Sequence, residues 1–502
     1  MKKLVALMLA LVMALTAMSI AMAEEEPFVV TVLLPQFPSE IDFQQENNPI
    51  FDYIEAQTGV RLQIKWGAND QYSTIFNTEL TDDNKAMLIS ATDAKAPVVV
   101  DTARAGGFWE LTDYVKDAEE YPYLAAGSAA VYQNMSIDGK LYGLPRGRAF
   151  PRGGIYYRWD IANELGFDKA PETIEELTEL AEALATYKED TYCLNMCSYT
   201  AGTISVITVA MGAPNTWGID EDGNVYPAHT DPAYLEGLNW LRHLYEIGGI
   251  DPNFAQISTA DWDPIERQEK AYMRFDCMDN AHRQQKWFDD NAGATGLIWM
   301  SVCGLEKEDG TISVWPQNPG YAGAVLVTKS VKEEDLPKVL KFLDWCNSPD
   351  GQTVINAGLQ GVTYEVDEEG YRYTPEDGDY STNEGKYHQN LNQLGMGVPG
   401  DLESPRAKYV GSEAWVFARE RYDELNREYA KYAVANPCLP YTSETYVAHG
   451  KELDDIISNA AVQYIACLIT EDELRAEWDR WAEQGGNAVT SELNELYQAD
   501  HN

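Results

Sequence analysis

Four arginines, Arg146, Arg148, Arg152 and Arg158, fall within the stretch "DGKLYGLPRGRAFPRGGIYYRWDIANELGF", among Tyr142, Tyr156, Tyr157 and Trp159. The whole chain carries 81 acidic residues against 37 basic ones, so a local gathering of positive charge needs a reason. A guanidinium donates paired, charge-assisted hydrogen bonds, and an aromatic ring offers a flat face for weakly apolar C–H groups. Interleaved, the two suit a small polar ligand with flat faces. The plainer reading is that these arginines form surface ion pairs with an acidic neighbourhood, which contribute little.

Other residue types point elsewhere. Asp261, Asp263 and Glu266 lie close together in "STADWDPIERQ", but closeness along the chain does not make a catalytic pair, whose carboxyls must face each other across a bond. There is no G-x-S-x-G elbow and no phosphate-binding loop. The six histidines are scattered and the seven cysteines lack the paired spacing of a zinc site, so no transition metal and no cofactor is expected. An odd cysteine count excludes a disulfide framework and leaves one pair, Cys193 with Cys197, open. The formal net charge of −44 opposes nucleic acid and anionic lipid as partners.

The elements that must position these residues are marked by local signals. "MKKLVALMLALVMALTAMSIAMA" reads as a secretory signal over 1–23, cut after Ala23, with no cysteine near the cut to carry a lipid anchor. The mature chain is expected to be soluble, in the periplasm or outside the cell. "FVVTVLLPQF", then "NNPIFDYIEAQTG" with Asn48 as cap, Pro49 at the first helical position and Gly59 as terminator, then "VRLQIKW", predict a βαβ unit with a parallel sheet. "APVVVDTA" is read as a further short strand. Ligands of open α/β sheets sit beyond the strand C-termini, so Phe37, Asp101 and Thr102 become candidates for a cleft. "KLYGLP" and "GGIYYRW" predict two extended segments around an Arg- and Gly-rich loop. Thr173 and Glu176 predict a capping box, and Asp231, Pro232 and Gly248 bound a second helix in which His243 is a packing residue. "YAGAVLVTKS" returns to the strand pattern, and amphipathic helices dominate from Trp415 onward.

The co-linear order of "DGKLYGLP", "YYRWDIANELGFDKAPETIEELTELAEAL", "MGAPNTWGIDEDGNVY", "LYEIGGIDPNF", "AGAVLVTKS…LPKVLKFLDWCNSPDGQ" and "GLQGVTYEV" resembles the extracellular solute-binding proteins of carbohydrate ABC importers, the large oligosaccharide and alginate-type binders above all. The resemblance implies an α/β, two-lobe periplasmic-binding-protein (type II) fold with hinge crossings and extra C-terminal helices. It implies a first lobe over 24–148 and 325–365 and a second over 149–324 and 366–502. It places Arg146 to Trp159 at the first interlobe crossing and Trp217 and Tyr364 in loops near the cleft; Trp299, Trp262 and Trp109 read equally well as core. The D-P-N-G-N-G calcium loop of many large binders is replaced by "ATYKEDTYCLNMCSYT", and "GIDEDGNVY", "KEDGTISV" and "DEEGYRY" read as hairpin turns rather than ion sites.

The expectation is a non-enzymatic, monomeric receptor that closes over an oligosaccharide and docks on ABC permease subunits. The ligand set is Arg146, Arg148, Arg152, Tyr156, Arg158, Trp217, Phe37, Asp101, Thr102, Trp299 and Tyr364. A secreted glycoside hydrolase or a carbohydrate-adhesion module is the alternative. The arginines favour a uronate-containing sugar modestly, and neutral xylan- or mannan-type fragments stay open.

Overall fold

The computed structural model describes residues 27–501 apart from 37–42, 69–70, 294–298, 307–309, 311, 317, 376, 389, 398–406 and 410. The first strand, Phe28–Gln36, buries Val30, Val32, Leu33 and Leu34 and runs parallel to Val60–Ala68, in register from Phe28 with Val60 to Gln36 with Ala68. The helix between them, Pro49–Thr58, starts where the Asn48 side chain accepts from the N–H groups of Ile50 and Phe51 and stops at Gly59, φ 70°. Gly59 sits where the left-handed conformation is needed, which costs glycine least. The βαβ unit read from the sequence is therefore present.

A five-stranded sheet forms with the order Val60–Ala68, Phe28–Gln36, Leu88–Ala91, Tyr321–Val327, Gly143–Gly147. Only Tyr321–Val327 is antiparallel to its neighbours, pairing Val327 with Leu88 and Tyr321 with Gly147. The strand leaving at Gly147 and the strand returning at Tyr321 thus meet at one edge, the edge where Gln36 and Ala91 also end. A second sheet, ordered Trp299–Val302, Gly153–Arg158, Ala271–Cys277, Tyr192–Leu194, pairs Gly153 with Cys277. Its near edge therefore carries Gly153, Cys277 and the exit of Leu194. Each sheet has its own apolar core, one built from Val30 to Leu144 and Ala324 to Leu394, the other around Ile155, Leu177, Leu241, Phe275 and Tyr464.

Two chain crossings join the lobes side by side: the Arg148 N–H donates to the Gly320 carbonyl at 3.0 Å and the Asn318 N–H to Phe150 at 2.8 Å. A third segment presses on them, because a Cβ on Gly147 would fall 2.0 Å from the Met396 carbonyl oxygen. Only glycine permits that approach. Helices Glu413–Tyr429, Glu444–Ile465, Glu471–Trp481 and Asn487–His501 cover the second lobe, the last two separated at Gly485.

Some expectations change. "APVVVDTA" is the helix Pro97–Arg104, not a strand, because Pro97 takes the first helical position and Val99, Val100 and Ala103 face the core at helical spacing. The first-lobe strand begins at Tyr321 rather than 325, and Leu391 and Leu394 lie in the first core rather than in a second-lobe segment starting at 366. All seven thiols are free, so Cys193 and Cys197 are not bridged. The Thr173 hydroxyl accepts from the Glu176 N–H as a cap should, but the returning Glu176 carboxylate accepts from Glu172, one residue early. His243 sits at a rim, 2.7 Å from Glu182. Trp217–Ile219 with Val225–Pro227 and Glu365–Val366 with Arg372–Tyr373 are hairpins, as read.

Candidate functional site

The strand Gly143–Gly147 carries Arg146 as its penultimate residue, whose Nε donates to the Ala322 carbonyl (2.7 Å) and whose Nη1 donates to Gln393 Oε1 (3.0 Å). Gln393 in turn donates to the Pro35 carbonyl at the end of the first strand, so Arg146 is fixed at the strand-end edge of the first lobe. Among the described residues the Arg148 side chain reaches only the Gly147 carbonyl, at 2.9 Å. Neither side chain has a carboxylate within ion-pair distance among the described residues, and both are half-buried. Burial, then the charges of Arg148 and Arg152, push the Arg146 guanidinium down to about 10, and burial followed by Arg152 lowers Arg148 too. Both remain charged at neutral pH.

Arg152 differs. Its Nη2 donates to Asp279 Oδ2 at 3.1 Å, and although burial works against its charge, Asp279 holds the guanidinium above its ordinary range. Burial opposes the Asp279 charge as well, but Arg152 and Arg283 keep this carboxyl below the usual carboxylate range. Asp279 follows the strand Ala271–Cys277, which delivers Asp276 and Cys277 to the same edge. There a polar cavity of about 440 Å³ is lined by Arg152, Arg267, Arg274, Asp276, Asn280 and Arg283 among others.

The helix Thr200–Met211 begins beside it. Tyr199, just before the helix, is 51% exposed, a large ring left uncovered at a lobe edge, with Trp262 edge-on at 6.3 Å. A Cβ on Gly202 would fall 3.0 Å from the Tyr199 ring and 3.8 Å from Asp276 Oδ1. On the other side of this helix is a second cavity of about 540 Å³, bounded by Trp217, Trp481, Tyr446 and, from the first lobe, Lys95.

The structure brings together Arg146, Arg148 and Arg152, and puts Trp217 on the second cavity. It does not do so for the rest. Tyr156 is fully buried and donates to Glu266 at 2.8 Å; Arg158 is 5% exposed and forked onto Asp160 at 2.8 and 2.6 Å; Trp299 is fully buried, edge-on to Tyr156 at 5.4 Å. They belong to a strand pair buried on both faces, where alternation does not separate ligand side from core side. Tyr364 is buried and interacts electrostatically with Tyr53, whose hydroxyl donates to Asp350, on the first lobe's helices. Asp101 is exposed on its helix and the Thr102 hydroxyl donates to Val98 one turn back. Phe37 lies outside the described residues. Sequence reading missed Tyr199, Asp276, Asp279, Asn280 and Gln393, which are brought to these edges by strand and helix ends far apart along the chain. Asp261 pairs with Ser258, Asp263 with Arg267 and Arg274, and buried Glu266 with Tyr156 and Asn195, so no two of them face each other across open space. Among the described residues no group of three or more His, Cys, Asp or Glu side chains is placed to hold a metal ion.

Two α/β lobes, each with its own sheet and core and joined by chain crossings, define a type II periplasmic-binding-protein fold. The chain belongs to the bacterial extracellular solute-binding protein family, whose model matches residues 50–367. It is 28% identical over 480 residues to Lipoprotein LipO of Bacillus subtilis, covering 93% of this chain and 91% of that one. It is 27% identical over 456 residues to the polygalacturonan/rhamnogalacturonan-binding protein YtcQ of the same organism, covering 89% and 87%. Among solved structures it shares its fold with the alginate-binding protein AlgQ2 without calcium (TM-score 0.65, 15% identity, 94% of this chain and 98% of that one). A solute-binding protein from Bifidobacterium longum infantis described as binding HMO superposes at TM-score 0.67, with 15% identity and 94% and 99% coverage.

Proposed function

We propose that this protein is an extracytoplasmic receptor that captures an acidic, uronate-containing oligosaccharide between its lobes and passes it, as a single chain, to the permease of an ABC importer. One observation carries the reading: Arg146 and Arg148 are half-buried guanidiniums with no carboxylate in ion-pair range among the described residues, in a chain of net charge −44. So much acidic surface could have supplied partners. Leaving two charges partly desolvated and mutually repelling is costly unless an anion completes them. A sugar carboxylate accepts from such a fork bidentately. Names given to similar proteins, for polygalacturonan/rhamnogalacturonan and for alginate, both uronate polymers, agree with that class.

The first lobe is taken to comprise 27–147 and about 321–397, and the second the remainder, with Tyr199 supplying a ring face opposite the arginines. The family binds solutes rather than transforming them. Calorimetry with oligogalacturonides of two to six units against neutral xylo- and manno-oligosaccharides tests the reading. An affinity of roughly −8 to −10 kcal/mol is expected for an acidic member, micromolar or tighter, with the glycan recovered at its original length. Binding confined to the neutral set removes the uronate assignment, and shortened products remove the receptor.

A further inference from the structure

The helix Thr200–Met211 divides two chambers of opposite chemical character. Toward Arg152 the wall is ionic, with four guanidiniums and their acidic partners. On its other side the 540 Å³ cavity is walled by Ile204, Val209, Leu453, Ile457 and the rings of Trp217 and Trp481, whose centroids are 6.4 Å apart. That volume lies within the range of small-ligand sites, about 300–1,000 Å³. The two chambers approach each other at the first turn of the helix, where a Cβ on Gly202 would fall 3.8 Å from Asp276 Oδ1 while Thr200 and Ala201 line the apolar side. Lys95, from the loop after Leu88–Ala91, closes the cavity from the first lobe by donating from Nζ to the Leu439 carbonyl. The chamber is thus complete only with both lobes in contact.

Resting on the receptor reading above, we propose that this chamber is a second subsite, taking a neutral sugar unit that bears an apolar group, a 6-deoxy methyl or an O-acyl ester, next along the glycan from the acidic unit held by the arginines. The lining is apolar but not empty of hydrogen-bonding capacity: His229 Nε2 and Thr442 Oγ1 are buried there without a partner among the described residues. His229 is only 6% exposed, packed 4.5 Å from the Trp481 ring. Such atoms are rare in finished cores and suit the hydroxyls of a bound sugar. The titratable groups agree. Burial pushes His229 down to about 4, lowers Lys95 to about 8 against the pull of Asp93 and Asp138, and raises Asp454, to which the Tyr446 hydroxyl donates. Every one moves toward its neutral form, so a carboxylate placed among them would meet the same penalty.

Titration calorimetry would compare an unsubstituted uronate tetrasaccharide with a tetrasaccharide of alternating uronic acid and 6-deoxyhexose, and with an O-acetylated uronate tetrasaccharide. For the unaltered chain, at least one substituted glycan is expected to bind tenfold or more tightly than the plain acid. Ala201→Trp, at the exposed mouth, and Ser205→Leu, on the wall, should abolish that preference while leaving the plain acid within twofold, after thermal melts confirm folding. Equal affinity of the unaltered chain for all three glycans, or variants that weaken all three alike, would overturn the inference and leave the receptor standing. Binding of none of them would overturn both.

Discussion

Arg148 and Arg152 are four residues apart and in opposite electrostatic situations, one without an acidic partner among the described residues and one held by Asp279. Arg148→Gln keeps hydrogen-bonding capacity but loses the charge-assisted, bidentate contact. Affinity for an acidic oligosaccharide should fall by roughly 1.5–3 kcal/mol, about ten- to a hundredfold, with much less effect on a neutral analogue. Arg152→Gln should in addition destabilise the fold, because it leaves the buried Asp279 charge with Arg283 alone. Tyr199→Ala should weaken acidic and neutral ligands equally, by about 1 kcal/mol, since stacking on a ring face ignores the carboxylate. Calorimetry on the three variants separates these roles; equal losses for both ligand types at Arg148 would dismiss charge recognition.

Elements place these side chains by simple means. The crossing 148–152 is held in register by backbone pairing with 318–320, and its entry depends on Gly147 lying against Met396. The first helix depends on Asn48, which is fully buried, caps Ile50 and Phe51 with its oxygen and donates from Nδ2 to Gln44 (2.8 Å) and Tyr387 (2.9 Å). Those bonds tie the βαβ unit to the segment that returns at 387. Asn48→Ala removes a cap and leaves buried carbonyls unmet, which should cost about 2–3 kcal/mol in urea unfolding, more than the roughly 1 kcal/mol of a solvent-exposed cap. A loss below 1 kcal/mol would mean that water replaces the amide.

At the scale of the whole molecule the described residues bring the lobes together at the crossings and at a second seam. There Arg104 forks onto Asp138 of its own lobe and Glu444 at the start of the helix Glu444–Ile465, Lys95 meets Leu439, and Val447 packs on the first core. The cavity that ends on Lys95 lies against this seam. Glu444→Gln should enlarge the ligand-free particle in small-angle scattering and weaken all ligands by less than tenfold, because an exposed pair contributes at most about 1 kcal/mol. A bound glycan should restore the compact radius; an unchanged radius in every state would argue for a rigid module. Acid should loosen the molecule by another route. Burial holds His229 and His388 neutral, down to about 4 each, whereas an unfolded imidazole titrates near 6.5. Between those values the unfolded chain binds more protons, so stability is full above about 6.5 and is lost as pH falls toward 4, by roughly 1 kcal/mol per histidine on going from pH 7 to 5.5. Thermal melts should show that slope, reduced in His229→Gln; an unchanged slope in that variant would mean that His229 is protonated in the native state.

What the sequence by itself determined is what local chemistry dictates. Asn48, Pro49 and Gly59 set a helix between two strands, Asp231 and Pro232 start another, and Asp220 and Asp367 turn two hairpins through their own side-chain oxygens. Their partners lie within a few residues. The two lobes came from the family resemblance carried by the order of the longer segments, not from these local signals. Which arginines are engaged by carboxylates was decided by tertiary structure, because Gly153–Arg158 is covered on both sides, so Tyr156 and Arg158 turn to Glu266 and Asp160 while Arg148, at the crossing, meets no carboxylate among the described residues. Valines read as strand became the helix Pro97–Arg104 when packing supplied a helical face for them. The chambers were beyond sequence reading altogether, since Lys95, Thr200, Trp217 and Leu439 become neighbours only when both cores form, and separation along the chain carries no record of that meeting.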